Sequence, residues 1–242
     1  MSRALVVGPG GLSGAYSGGV VATLGRRLGC HHFDALYGCS AGAYTISYLA
    51  SGQPEMIETI WRECVHGKLL MRWGNIFHRS QPILDLFYLN DVLRSQAYRL
   101  SVEDLLHSSV KICMVATDQQ SGRAHYFSPK TPEEFFLQVR ASAAVPYLHP
   151  KVLINGHEYI DGAFSDPFPV ERALADGHDE IVVVGNHHLE KSNLIETSKN
   201  RVRGIFPSTK SPLFWNFDSS KSKINWLVDL GIHDAIGFLN RI

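Results

Sequence analysis

The chain has 242 residues, a length that suits one large α/β domain spanning 1–242. With 45% hydrophobic and 19% charged residues it can bury a sizeable core and is not a disordered polymer. Lys+Arg and Asp+Glu balance at 23 each, so there is no basic excess of the kind a nucleic-acid binder carries.

The first strand, Ala4–Val7, runs into Gly8-Pro9-Gly10-Gly11-Leu12-Ser13-Gly14 and then a helix over Gly14–Leu28. A glycine turn between strand and helix aims backbone N–H groups at one point, and the helix N-terminus adds positive potential there. That point suits a phosphate or a reaction oxyanion; the plainer reading is a tight turn and nothing more. A dinucleotide fingerprint fits poorly, because Ser13 takes the place of its last glycine and the acid Asp34 precedes the second strand instead of ending it.

The second strand, Ala35–Tyr37, enters Gly38-Cys39-Ser40-Ala41-Gly42, and a helix over Ala43–Ser51 follows. G-x-S-x-G between strand and helix is the pattern of a nucleophile elbow, which lifts a serine Oγ out of the sheet. The uncharged stretch 35–54 contains this motif along with Tyr, Ser, Thr and Gln, so it reads as strand-turn-helix and not as a membrane span. A helix over Pro54–Val65 comes next. The region 66–93 breaks the rhythm; its Leu69, Leu70, Met71, Trp73, Ile76, Phe77, Ile83, Leu84, Leu86, Phe87 and Tyr88 either wall an acyl groove or pack into the core.

Strands at Lys111–Thr117 and Ala124–Phe127 precede a helix over Pro132–Ala144. The strand Glu158–Ile160 ends at Asp161-Gly162-Ala163. A carboxylate there faces a pocket above the strand ends or caps its own turn, and both readings stand. A helix over Pro169–Asp176 and a strand over Glu180–Gly185 complete the alternation, which predicts a mostly parallel sheet covered on both faces.

Segment 190–223 has seven basic residues against three acidic, interleaved with Phe206, Leu213, Phe214, Trp215 and Phe217. It reads as a peripheral contact for an anionic membrane surface, or as a solvated loop whose aromatics close over the core. Ile224, Leu227, Leu230, Ile236 and Leu239 give 221–242 a helical period, and the gap across Gly231 suggests an interruption there.

Cys30, Cys39, Cys64 and Cys113 form no C-x-x-C pair and no disulfide framework, which fits a reducing compartment. The opening MSRALVVGPGG has too short an apolar run for a secretory leader. The expected location is cytoplasmic, peripheral at a membrane surface.

In an ordinary α/β-hydrolase the elbow follows several strands, so Ser40 comes early for that fold. The order Ser…Asp…His is nevertheless available from Ser40, Asp161 and His187 or His188.

PGGLSG, GCSAG and DGA, in that order, resemble the patatin-like phospholipase family, with weaker echoes in FDALYGCSAG, MVATDQQSGRAHYF, VRASAAVPYLHP and SDPFPVERALADG. The resemblance covers 4–188. It implies a three-layer α/β/α patatin-like fold with a central mostly parallel sheet. It further implies a Ser-Asp dyad of Ser40 as nucleophile and Asp161 as base, with no catalytic histidine, no metal and no cofactor. Gly8, Gly14, Gly38, Gly42 and Gly162 are the motif glycines. Pro9 has no N–H to give, so Gly10 and Gly11, with Ala41 after the nucleophile, are the expected oxyanion donors. The chain departs from the family pattern at Pro9, at Ser13 where a basic residue is usual, at Ala163, and at Asp166 where the family shows asparagine. The implied activity is acyl-ester hydrolysis on lipids, of phospholipase A, lysophospholipase or lipase type. The alternatives are a general esterase or thioesterase on the same site, and a catalytically weak lipid-binding scaffold.

Overall fold

A computed structural model describes residues 1–77, 81–187, 201–213 and 216–241. Its centre is an eight-stranded mixed sheet. The strands are β1 (Arg3–Val7), β2 (Ala35–Cys39), β3 (Lys111–Asp118), β4 (Ala124–Phe127), β5 (Val152–Ile154), β6 (His157–Asp161), β7 (Glu180–Val184) and β8 (Val202–Ile205). β3, β2, β1, β7 and β8 run parallel in that order, while β4 and β6 pair antiparallel with β3, and β5 with β6. The helices are α1 (Ala15–Leu28), α2 (Ala41–Ala50), α3 (Pro54–Glu63), α4 (Leu86–Arg94), α5 (Val102–His107), α6 (Pro132–Ser142), α7 (Val170–Ala175) and α8 (Lys221–Leu239).

The alternation of a strand's side chains sorts the two faces. Leu5 and Val7 of β1 point into the larger core, with α1, α2, α3, α6 and α8, while Ala4 and Val6 join a smaller one under α7. The layers are therefore α/β/α, one thick and one thin. Because both faces are covered, β1 reads as a continuous apolar run instead of an alternating one.

Every strand expected from the sequence forms. β5 and β8 were not expected: β5 is three residues long, and β8, Val-Arg-Gly-Ile, carries a glycine and an arginine. Within the irregular region 66–93, α4 begins where Asp85 accepts the Tyr88 N–H at 2.9 Å, a side-chain cap that starts a helix inside an aromatic-rich stretch.

Gly231 does not interrupt α8, which is continuous from Lys221 to Leu239. Gly231 is where α8 crosses α1: a Cβ there would lie 2.1 Å from the Tyr16 carbonyl oxygen, and one on Gly19 of α1 would lie 2.1 Å from that of Val228. Two glycines let the backbones touch, so the gap in the apolar period marks a close approach. No helix among the described residues is long and apolar enough to cross a membrane.

The placement of the site follows from β3. Met114 and Val115 pair with both β2 and β4, so those two strands lie on opposite edges. Ala116 and Thr117 pair with both β4 and β6, so β6 lies opposite β4, on the edge that β2 has just vacated. β2 climbs that edge to Cys39, opposite Val115. β6 descends it to Asp161, opposite Ala116. The two strands meet end to end.

Candidate active site

Ser40 is the residue after β2 and caps α2. Its backbone sits at φ 55° and ψ −122°, a conformation a side chain rarely adopts. The elbow is held from several directions. The Ser142 Oγ accepts the Ser40 N–H at 3.0 Å. Gly42 lies so close to the end of β1 that a Cβ would sit 2.3 Å from the Val7 carbonyl oxygen, so no larger residue fits without moving a strand. Gly38, at the end of β2, packs in the same way against the backbone of Ala43.

Where β2 meets β6, the Ser40 Oγ donates to Asp161 Oδ2 at 2.7 Å. The other carboxylate oxygen, Oδ1, accepts the Ala163 N–H at 2.9 Å. The turn-capping reading of Asp161 holds, and its other oxygen meets Ser40, which lines the cavity where Asp161 itself does not. Burial pushes its carboxyl up to about 6, against the pull of the Ala163 and Ser40 hydrogen bonds. Gly162 rests against β3, where a Cβ would lie 2.3 Å from the Val115 carbonyl oxygen. Asp166, just beyond the short 3-10 turn that follows Asp161, accepts from the Tyr126 hydroxyl at 2.7 Å and ties this segment to β4.

Among the described residues the Ser40 Oγ and the Asp161 carboxylate hydrogen-bond no histidine. His187 is not their partner, and His188 lies outside the described residues.

The glycine turn crosses beside Ser40. Gly10 caps a 3-10 turn over Gly11–Gly14, with Gly11 at φ 53°. Leu12 N–H is spent on the Asn216 carbonyl at 2.7 Å, and Ser13 N–H on the Gly10 carbonyl at 2.9 Å. Gly10 and Gly11 hold the positions at the head of the turn whose N–H groups find no acceptor within it, and Ala41 holds the same position in α2. Gly11 and Ala41 line the cavity with Ser40; Gly10, next to Gly11, is buried. Gly14 packs against Ala41, and Gly8 against the Phe168 ring. Ser13, at the place where a basic residue is usual, is buried and bonds through its hydroxyl to Asn216 Oδ1 at 3.2 Å.

The cavity has a volume of about 60 Å³ and an apolar wall. Tyr44, Ile57, Ile60 and Trp61 line it, joined by Leu70, Leu84 and Leu86 from the irregular region. Met71 and Ile83 of that region pack into the core, while Leu69, Ile76, Phe77 and Phe87 are exposed. Of the aromatic segment expected at a membrane, Phe206 and Leu213 are buried, Phe217 lines the cavity, and Phe214 and Trp215 lie outside the described residues. For Phe206 and Leu213, closing over the core is the observed arrangement.

Two side chains at the site escape sequence reasoning. Ser142 belongs to VRASAAVPYLHP but has no motif role of its own. Asn186, fully buried after β7, binds the glycine turn and stands next to the histidines that attract attention instead.

A hydroxyl donating to a buried carboxylate, beside backbone N–H groups and an apolar cavity, is equipped for nucleophilic attack on an acyl carbonyl. The chain is similar to known proteins. The profile of the patatin-like phospholipase family matches residues 5–174. The uncharacterized protein YjjU of Escherichia coli is 30% identical over 190 residues, 75% of this chain and 51% of that protein. A cUMP-AMP-activated phospholipase of Escherichia coli is 28% identical over 197 residues, 72% of this chain and 58% of that one. The chain thus spans little more than half the length of these relatives. VipD from Legionella pneumophila superposes with a TM-score of 0.59 at 15% identity, over 99% of this chain and 67% of that one. The type III effector ExoU of Pseudomonas aeruginosa gives 0.52 at 12%, over 99% and 53%. At such identities these two structures share the fold.

Proposed function

Because the chain belongs to the patatin-like phospholipase family, we propose that it is a serine acyl-ester hydrolase acting on lipids, of phospholipase A, lysophospholipase or lipase type, and that 1–242 work as one domain. The observation that carries this reading is the 2.7 Å hydrogen bond from the Ser40 Oγ, which lines an apolar cavity, to the buried Asp161.

In this mechanism the Ser40 Oγ attacks the ester carbonyl carbon, and its proton passes to Asp161 Oδ2. A carboxyl raised to about 6 is a better base than an ordinary aspartate once ionised. Negative charge gathers on the former carbonyl oxygen, within reach of the Gly10, Gly11 and Ala41 N–H groups and the N-terminal end of α2. The C–O bond to the leaving group breaks, and the departing alkoxide takes the proton from Asp161. Water then attacks the acyl-serine, gives a proton to Asp161, and the collapse that frees the fatty acid returns that proton to Ser40. A peripheral contact with an anionic lipid surface through 190–223 belongs to the same proposal.

Hydrolysis of p-nitrophenyl butyrate and of phospholipid vesicles by wild type, Ser40→Ala, Asp161→Asn and His187→Ala tests it. Turnover should fall by about 10⁴ or more in the first two variants, as when a unit of reacting groups loses one member, and stay near wild type in the third. Retained turnover in Ser40→Ala overturns the nucleophile. Loss in His187→Ala restores the conventional triad. A wild type inert on both substrates and towards a fluorophosphonate supports the scaffold reading instead.

A further inference from the structure

The order β2-β1-β7 sets three loops side by side at the C-terminal ends of these parallel strands: Ser40 after β2, the glycine turn after β1, and Asn186 after β7. Asn186 is completely buried. Its Oδ1 accepts the Ser17 N–H at 3.1 Å, and its Nδ2 donates to the Pro9 carbonyl at 3.0 Å and the Gly8 carbonyl at 3.3 Å. This side chain therefore holds the glycine turn and the first turn of α1 together from the side opposite Ser40.

Peptide planarity turns that contact into a statement about the site. In a trans peptide the carbonyl of one residue and the N–H of the next point in opposite directions, and no peptide among the described residues is cis. Drawing the Pro9 carbonyl towards Asn186 therefore turns the Gly10 N–H away from Asn186, to the Ser40 side of the turn. The Ser13 N–H does the same one peptide later by holding the Gly10 carbonyl at 2.9 Å, which orients the Gly11 N–H. Gly10 has to be a glycine for this contact, because a Cβ would lie 2.8 Å from Asn186 Nδ2.

We propose that Asn186 is a positioning residue for the oxyanion site: by binding the Pro9 and Gly8 carbonyls it fixes the peptide plane that presents the Gly10 N–H to the reacting acyl group. This rests on the hydrolase reading above. Pro9 fits the same design. It contributes no N–H, and its ring fixes its own φ, so the tilt of the Pro9–Gly10 peptide depends on ψ of Pro9, which the Asn186 contact restrains.

The test is the rate of reaction per competent site in Asn186→Ala, Asn186→Ser and Asn186→Asp. Asp keeps the acceptor for Ser17 and loses both donors; Ser keeps one short donor. Each variant is titrated to its end point with a fluorophosphonate, and kcat and KM on p-nitrophenyl butyrate are expressed per titrated site. Losing one aligned oxyanion donor lowers kcat about 10²–10³-fold, so Ala and Asp should fall by that much with KM within about twofold, and the rate of phosphonylation should fall alongside. Ser should lie between them and wild type. A merely structural role would lower the end-point titre and leave the rate per site unchanged, and that result overturns the proposal. So does failure of all three variants to yield titratable protein, since Asn186 would then be a folding residue. A wild type that does not react, or a Ser40→Ala that does, sinks the hydrolase reading itself, a separate outcome.

Discussion

With its carboxyl pushed up to about 6 by burial, Asp161 is half protonated in mildly acidic solution. In the proposed mechanism only the ionised form accepts the Ser40 proton, so kcat/KM should fall about tenfold per pH unit below 6 and level off above it. Stability runs the other way. An unfolded aspartate titrates near 3.9, so the folded chain holds this proton more tightly, and the stabilisation it gains is complete below about 4 and lost as pH rises through about 6. Asp161→Asn removes a buried charge at neutral pH. It should therefore be inactive and melt a few degrees higher than wild type at pH 8, with the gap closing towards pH 4. A melting temperature unchanged at pH 8 would contradict the burial argument. The sequence displays Ser40 and Asp161 because the turns that carry them need glycines at fixed offsets, and local backbone need leaves a local pattern. Asn186 and Ser142 leave none. Each acts on a backbone group far along the chain, 177 residues away for Asn186 and Pro9 and 102 for Ser142 and Ser40, and nothing in their neighbours' identities reveals it.

Among the elements, the α1–α8 crossing shows how one residue type carries opposite instructions. Gly19 and Gly231 each meet a backbone carbonyl at 2.1 Å from where a Cβ would be, whereas Gly237, on the same helix as Gly231, has nothing within 4 Å. Backbone cannot step aside as a flexible side chain does. Gly19→Ala and Gly231→Ala should each cost about 1–3 kcal/mol, the range for overpacking, and lower the melting temperature by several degrees. Gly237→Ala should instead stabilise by about 0.5–1 kcal/mol through helix propensity and raise the melting temperature. Equal shifts at all three positions would mean that the helices do not touch as described. A period-counting eye takes the missing apolar residue at 231 for a break, because a hole that receives another helix and a hole that ends one look the same in sequence. The regular strand-helix alternation was legible for the opposite reason: it is carried by runs long enough to average over single residues. β5 and β8 were too short for that.

For the whole molecule, a formal net charge of zero means that no overall attraction draws it to an anionic surface. Any binding of that kind has to come from local charge. In the proposed contact segment, Arg201 pairs with Asp179 and Lys223 with Asp218, but Arg203, Lys210 and Lys221 are exposed and form no ion pair among the described residues. A lysine near an anionic membrane contributes about 1 kcal/mol. Lys210→Glu with Lys221→Glu should thus weaken co-sedimentation with phosphatidylserine vesicles by roughly thirtyfold or more, leave p-nitrophenyl butyrate hydrolysis untouched, and lose its effect at high salt. Unchanged pelleting would dismiss the contact. With Phe206 and Leu213 already committed to the core, charge supplies more of the proposed contact than the sequence suggests.

The end-to-end meeting of β2 and β6 along β3 also bears on when the protein becomes reactive. Serine and aspartate are 121 residues apart, and the shared edge of a third strand brings them together. On the proposed chemistry, a nascent chain leaving the ribosome carries its nucleophile before its base and remains inert. Its base is synthesised 121 residues later, and the 2.7 Å contact exists only after the hairpin of β5 and β6 has docked beside β3. Acyl transfer is thereby withheld until the sheet is assembled, and a half-made copy poses no hazard to the lipids around it.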